Sequence, residues 1–154
     1  MYGRFPFAQF YGVLLAGSAL IASDSIADTF SYDQGALPGA KPWTEAEFQN
    51  DPKAFQFVVI GDRTGGANQE HTFKLAMDQL NLLQPEFVIN VGDTIEGYSD
   101  DKAELNAEWD EVDAMLAELE MPFFRVPGNH DIANKVAQEV WRERHGATYY
   151  HFVY

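Results

Sequence analysis

The chain has 154 residues, room for one domain, with no cysteine and a formal net charge of −14. The missing cysteines exclude disulfides and any thiolate metal site. The acidity excludes non-specific nucleic-acid binding through the overall field, and it repels a phosphate ester unless bound cations reverse the sign locally.

Arg4 precedes a largely apolar stretch from Phe7 to Ile21, and Ser25-Ile26-Ala27 then places small residues where a signal peptidase reads. Residues 1–27 therefore read as a secretory signal peptide cleaved near Ala27, which implies a periplasmic or secreted protein. A membrane anchor is the alternative, but the run is short of the roughly 20 residues a span needs, so no permanent span is expected. Residues 28–54 carry Gly, Pro, Ser and Asp without sustained periodicity, as in a mature N-terminal lead-in. Thr44 and Glu47 make a capping box there, which predicts one short helix ended by Asn50-Asp51-Pro52.

From residue 55 the pattern becomes regular. Phe55 to Ile60 is an apolar strand that runs into Gly61-Asp62-Arg63-Thr64-Gly65-Gly66. A helix follows, with Asn68 as its cap, Glu70 in its first turn and Phe73, Ala76, Met77, Leu80 and Leu83 on its buried face. Gln84-Pro85 closes it, and a second strand from Glu86 to Val91 ends at Gly92-Asp93. Ser99, with Asp100 and Asp101, opens a second helix whose buried stripe is Leu105, Trp109, Val112, Leu116 and Leu119. A third strand over 122–126 meets Pro127-Gly128-Asn129-His130-Asp131, and a third helix runs from about Asn134 to Arg144 with Gly146 as its stop. The aromatic run from Thr148 to Tyr154 reads as a fourth strand. Strand, helix, strand, helix, strand implies an α/β fold with a parallel βαβαβ core.

Ligands of parallel α/β sheets bind outside the carboxyl ends of the strands. Three such ends would gather Asp62, Asp93 and Asn129-His130, oxygen donors with one imidazole, the makings of a metal site of mixed hard and borderline character. Either aspartate alone would read as a turn or helix-cap residue. Arg63 is the one basic residue on the first loop, and it could clamp a phosphate with paired donors or pair with a surface acid. His71 and His151 read as surface or structural residues, and His145 as a cationic partner of a helix C-terminus. Glu96 could hydrogen-bond metal waters or simply line its loop. Gly65-Gly66 could approach a phosphate, but no Lys-Ser or Lys-Thr follows, against a P-loop.

The ordered set Gly61-Asp62, Gly92-Asp93 and Gly128-Asn129-His130-Asp131, each after a strand, resembles the calcineurin-like metallophosphoesterases over residues 55–154. The resemblance implies the N-terminal half of a metallophosphoesterase-type α/β sandwich. It also implies hydrolysis of a phosphate ester by a hydroxide bridging two divalent metals, drawn from Mn, Fe, Zn or Mg. It places Asp62 on the first metal, Asp93 between both and Asn129 on the second. His130 would contact the phosphoryl group or protonate the leaving oxygen, and Asp131 would orient that imidazole. The family's usual Asp-x-His is broken here, because Thr64 stands where the histidine belongs. The family's Gly-His-x-His motif and further strands are also absent, so the chain reads as the N-terminal portion of a longer protein. By itself it is expected to be inactive and to associate through its last strand, whose edge and aromatic face would lack partners. Two other functions fit the pattern less fully: a non-catalytic binding module of the same fold, and a nucleotide-binding α/β domain.

Overall fold

The computed structural model describes residues 31–32, 39–64 and 71–154. In chain order the elements are β1 (Ser31–Tyr32), β2 (Phe57–Ile60), α1 (Thr72–Leu83), β3 (Phe87–Asn90), α2 (Lys102–Leu116), β4 (Phe123–Arg125), α3 (Lys135–His145) and β5 (Phe152–Val153). The expected leader lies outside the described residues, as do Asn68 and Glu70. Among the described residues no helix is long and apolar enough to cross a membrane.

β2, β3 and β4 form a parallel sheet in that order, with Ile60 opposite Asn90 and Asn90 opposite Arg125. Alternation along each strand sorts its residues between two faces. Val58, Ile60, Val88 and Phe123 pack into the core that α1, α2 and α3 complete with Met77, Leu80, Leu105, Trp109, Val112, Val140 and Trp141. Burying an aromatic side chain of roughly 200 Å² at about 25 cal/mol per Å² is worth about 5 kcal/mol before entropy. Trp109 and Trp141, fully buried with ring centroids 5.6 Å apart, therefore anchor the contact between α2 and α3.

The helix ends follow local chemistry, with some shifts from expectation. α2 starts two residues later than Ser99 suggested, because Asp101 is the cap and accepts from the Ala103 amide at 2.8 Å. Ser99 is occupied with the Glu104 carboxylate instead. α3 is capped by Asn134, which accepts from the Ala137 amide, and closes at Gly146. α1 has no side-chain cap, and its last predicted core position, Leu83, faces solvent.

The other sheet face is covered by aromatic residues from the segment before β2 and from the C-terminal run. Phe152 stacks on Phe124 at 4.3 Å, and Phe48 and Tyr154 close over Phe87. The C-terminal run thus has a partner layer, contrary to expectation, and β5 pairs antiparallel with β1 rather than extending the parallel sheet. The cover stops short of β2, where Phe57 and Val59 remain 52% and 54% exposed. The helix expected at Thr44 is also absent. Its hydroxyl accepts from the Phe123 amide at 3.0 Å and its own amide donates to the Phe123 carbonyl, so the segment runs along β4 as an extended edge. A neighbouring strand's unpaired backbone outcompetes a local capping box.

Glu86 fixes both ends of this cover. Its buried carboxylate accepts from the Gln49 and Asn50 amides and from the Tyr154 hydroxyl.

On the helix side, Arg125 leaves β4 to pair with Asp113 of α2 at 2.7 Å and to donate to His145 Nδ1 at 2.8 Å. His145 is sandwiched by Trp109 and Trp141, and its Nε2 has no partner. Burial, with help from Arg125 and Arg144, pushes its pKa down to about 2. It is therefore neutral, not the cationic dipole partner expected. Between about pH 6.5 and that value the unfolded chain takes a proton that the folded chain refuses, so stability is present above this window and lost as pH falls through it. From pH 7 to pH 5 the protein should lose about 2 kcal/mol through this group. Urea unfolding at both pH values should show the loss in the native protein and a smaller one in His145→Gln. Equal losses would mean that His145 titrates as an ordinary imidazole.

Candidate active site

The carboxyl ends of β2, β3 and β4 carry the three expected loops. Aligned register puts them side by side, and the ladder continues into them through Val91 N to Ile60 O and Val126 N to Asn90 O. Contact between the second and third loops is closer than a side chain allows. A Cβ on Gly92 would overlap the backbone of Gly128, and a Cβ on Gly128 would overlap the backbone amide and carboxylate of Asp93. Gly92 also has φ 102°, and Asp93 sits in the left-handed region at φ 54°. A non-glycine residue is held there only when its surroundings over-determine it.

Those surroundings can be named. Asp131 is fully buried, and its Oδ1 accepts from the Thr94 and Ile95 amides at 2.8 and 3.1 Å while Oδ2 accepts from Gly128 at 2.8 Å. Burial pushes its carboxyl up from the ordinary range, opposed by the amides of Gly128, Ile95, Thr94 and Asp93. Asn90, also fully buried, accepts from the Gly92 amide and the Thr94 hydroxyl and donates to the Gly61 carbonyl. The Arg63 amide donates to the Asp93 carbonyl at 3.0 Å. One carboxylate and one carboxamide thus tie three loops into a single platform.

On that platform Asp93 Oδ1 accepts from the His130 amide at 2.9 Å. His130 Nδ1 lies 2.7 Å from the Glu96 carbonyl, an acceptor only, so Nδ1 carries a hydrogen and Nε2 is the open nitrogen. The imidazole-orienting role expected of Asp131 falls to this carbonyl, since both Asp131 oxygens are spent on backbone amides. The exposed Asn129 donates through Nδ2 to the Tyr98 hydroxyl at 2.8 Å, and its Oδ1 has no hydrogen bond among the described residues. Asp62 is exposed at the end of β2.

Arg63 does not present itself as a phosphate clamp. It is buried, with Nη1 on the Thr94 carbonyl, Nη2 paired to Glu111 at 2.5 Å and its guanidinium 5.7 Å from the Phe73 ring centroid. The ion-pair alternative describes its place. Thr64 is buried beside it, while His71 and His151 are exposed. Glu96 enters through its backbone oxygen rather than its carboxylate.

The donors open to a cation are the carboxylates of Asp62 and Asp93 and Asn129 Oδ1, with His130 Nε2 nearby in sequence. These suit a hard divalent ion in kind. In number they fall short: among the described residues no group of three or more His, Cys, Asp or Glu side chains is placed to hold a metal ion.

Asn90 and Tyr98 are passed over in the sequence reading, which expects the Glu96 carboxylate rather than its carbonyl. Asn90 had one signal, a carboxamide at the end of an otherwise apolar strand; Tyr98 had none, because it acts across 31 residues.

A family profile described as calcineurin-like phosphoesterase matches residues 55–153. The chain belongs to that family, and its α/β fold with a parallel three-stranded sheet agrees. No curated protein and no solved structure matches it.

Removing the platform's main clamp should expose its worth. Asp131→Ala strands two buried amides and one half-buried amide and should cost about 3 kcal/mol or more in urea unfolding. Asp131→Asn, which keeps one accepting oxygen, should cost less. A loss under about 0.5 kcal/mol for the alanine variant would mean that the two loops hold together without the carboxylate.

Proposed function

We propose that this chain contributes to metal-dependent hydrolysis of a phosphate ester, in the periplasm or outside the cell. The observation that carries the reading is the convergence of Asp93, Asn129 and His130 in a chain of this family, with the His130 amide bound to Asp93 Oδ1. Asp62 and Asp93 are the proposed holders of one cation, and Asp93 and Asn129 of a second. Divalent cations there would activate water and neutralise phosphoryl oxygens.

The remaining steps belong to the protein's own residues. Asp93 is suited to the shared position because two carboxylate oxygens can face two cations while one charge offsets theirs. Asn129 adds an oxygen without adding negative charge, which matters in a chain with net charge −14 that must admit an anion. His130, with Nδ1 fixed on the Glu96 carbonyl, has Nε2 left to face the leaving oxygen, and it would deliver a proton there from the imidazolium form, in which both ring nitrogens carry hydrogen. A second reading, a non-catalytic binding module, draws support from Thr64 at the usual histidine position and from the short donor set. Metal content separates the two: about two tightly bound ions per full-length protein favour the enzyme.

The functional test uses the full-length protein and an aryl phosphate with Mn²⁺. Asp93→Asn keeps the shape and removes the central charge, so hydrolysis should fall by about 10²-fold or more and metal should bind more weakly. Unchanged activity would remove Asp93 from the proposed site.

His130→Ala tests a different role. Turnover should drop by about 10²- to 10⁴-fold while bound metal is largely retained. Loss of one metal equivalent in that variant would make His130 a ligand rather than a proton donor.

A further inference from the structure

The loop after Asp93 touches both functional side chains of the third loop. Glu96 supplies the carbonyl that fixes His130 Nδ1, and Tyr98 supplies the hydroxyl that accepts from Asn129 Nδ2 at 2.8 Å. The Tyr98 ring also meets the His130 ring edge-on, with centroids 4.6 Å apart. Between them, Gly97 has no room for a Cβ against the His130 carbonyl, and its amide donates to Glu108 of α2 at 2.9 Å. Gly97 and Tyr98 both have positive φ, 63° and 58°. Two successive left-handed residues, one of them a tyrosine, are costly unless the turn they make is required. Yet Tyr98 is 62% exposed, so core packing does not require it.

We propose that Tyr98 is a positioning residue for Asn129 and His130, a role that rests on the function proposed above. A carboxamide has two chemically opposite ends, an accepting oxygen and a donating nitrogen, so holding one end decides which is left open. By accepting from Nδ2, the Tyr98 hydroxyl fixes the nitrogen end and leaves Oδ1 as the end open to a cation. The same ring limits the swing of the imidazole whose Nδ1 Glu96 holds. One side chain thereby sets which atom of each neighbour is available. Outer partners that orient ligands in this way are commonly worth about 10- to 100-fold in metal affinity or activity.

The experiment is a double-mutant cycle on Mn²⁺ affinity in the full-length protein, read by electron paramagnetic resonance of the free ion. Tyr98→Phe removes the hydroxyl, keeps the ring and leaves backbone strain unchanged, so the melting temperature should stay the same. Affinity should fall about 10-fold in Tyr98→Phe, and that fall should vanish in the Asn129→Ala background. A tenfold fall that persists without Asn129 would overturn the inference, because Tyr98 would then act by another route. So would unaltered affinity in Tyr98→Phe alongside a clear loss in Asn129→Ala, with the proposed function left standing. If the native protein binds no Mn²⁺, or Asn129→Ala binds it as well as the native protein does, the proposed function fails and the inference falls with it.

Discussion

The Asp131 carboxylate is the constraint on which the site depends. It sits in the loop after β4, yet two of its three amide donors, Thr94 and Ile95, belong to the loop after β3. A buried carboxylate is expensive unless its lone pairs are filled, and here backbone amides fill them. The result pulls Gly128 against Asp93 until neither Gly92 nor Gly128 can carry a side chain. Asp93 then has a backbone geometry it would not adopt alone, and its Oδ1 meets the His130 amide. Asn90 repeats the device on a smaller scale and brings in Gly61, so that all three strand ends are hydrogen-bonded to one another.

Much of this was legible in the sequence, for a physical reason. A parallel strand is buried on both faces and reads as an apolar run, and its carboxyl end must turn at once into polar loop. Gly61-Asp62, Gly92-Asp93 and Gly128-Asn129-His130-Asp131 announce both events within a few residues. The stripe of Leu105, Trp109, Val112 and Leu116 was equally plain, and all four are buried in α2. What stayed hidden depends on partners distant in sequence. Asp131 beside His130 suggests an acid orienting its neighbour, but backbone amides from two loops claim that acid first. Thr44 and Glu47 suggest a cap, until the edge of β4 takes the threonine. Arg63 suggests a phosphate ligand, until Glu111 and Phe73 draw it inward. Each local signal was real, and each lost to partners that include one at least 37 residues away: Thr94 for Asp131, Glu111 for Arg63 and Phe123 for Thr44.

The electrostatics set a consistent requirement on function. With 24 acidic residues against 10 basic ones, the chain has little long-range attraction for an anionic ester. Much of its buried cationic charge is already committed, Arg63 to Glu111 and Arg125 to Asp113. Under the proposed function, attraction for a phosphate would come from ions held at the strand ends, where Asp62, Asp93 and Asn129 offer oxygen and Asn129 offers it without charge. The same platform that keeps Asp93 strained keeps it available, because only one of its carboxylate oxygens is spent on the His130 amide.

The proposed function requires a divalent cation between the second and third loops, held by Asp93 and Asn129. Anomalous scattering from Mn²⁺ in crystals of the full-length protein tests it directly. Peaks within about 2.0–2.4 Å of an Asp93 carboxylate oxygen and of Asn129 Oδ1 are the predicted result. Ordered manganese elsewhere, with both side chains unliganded, would contradict the account.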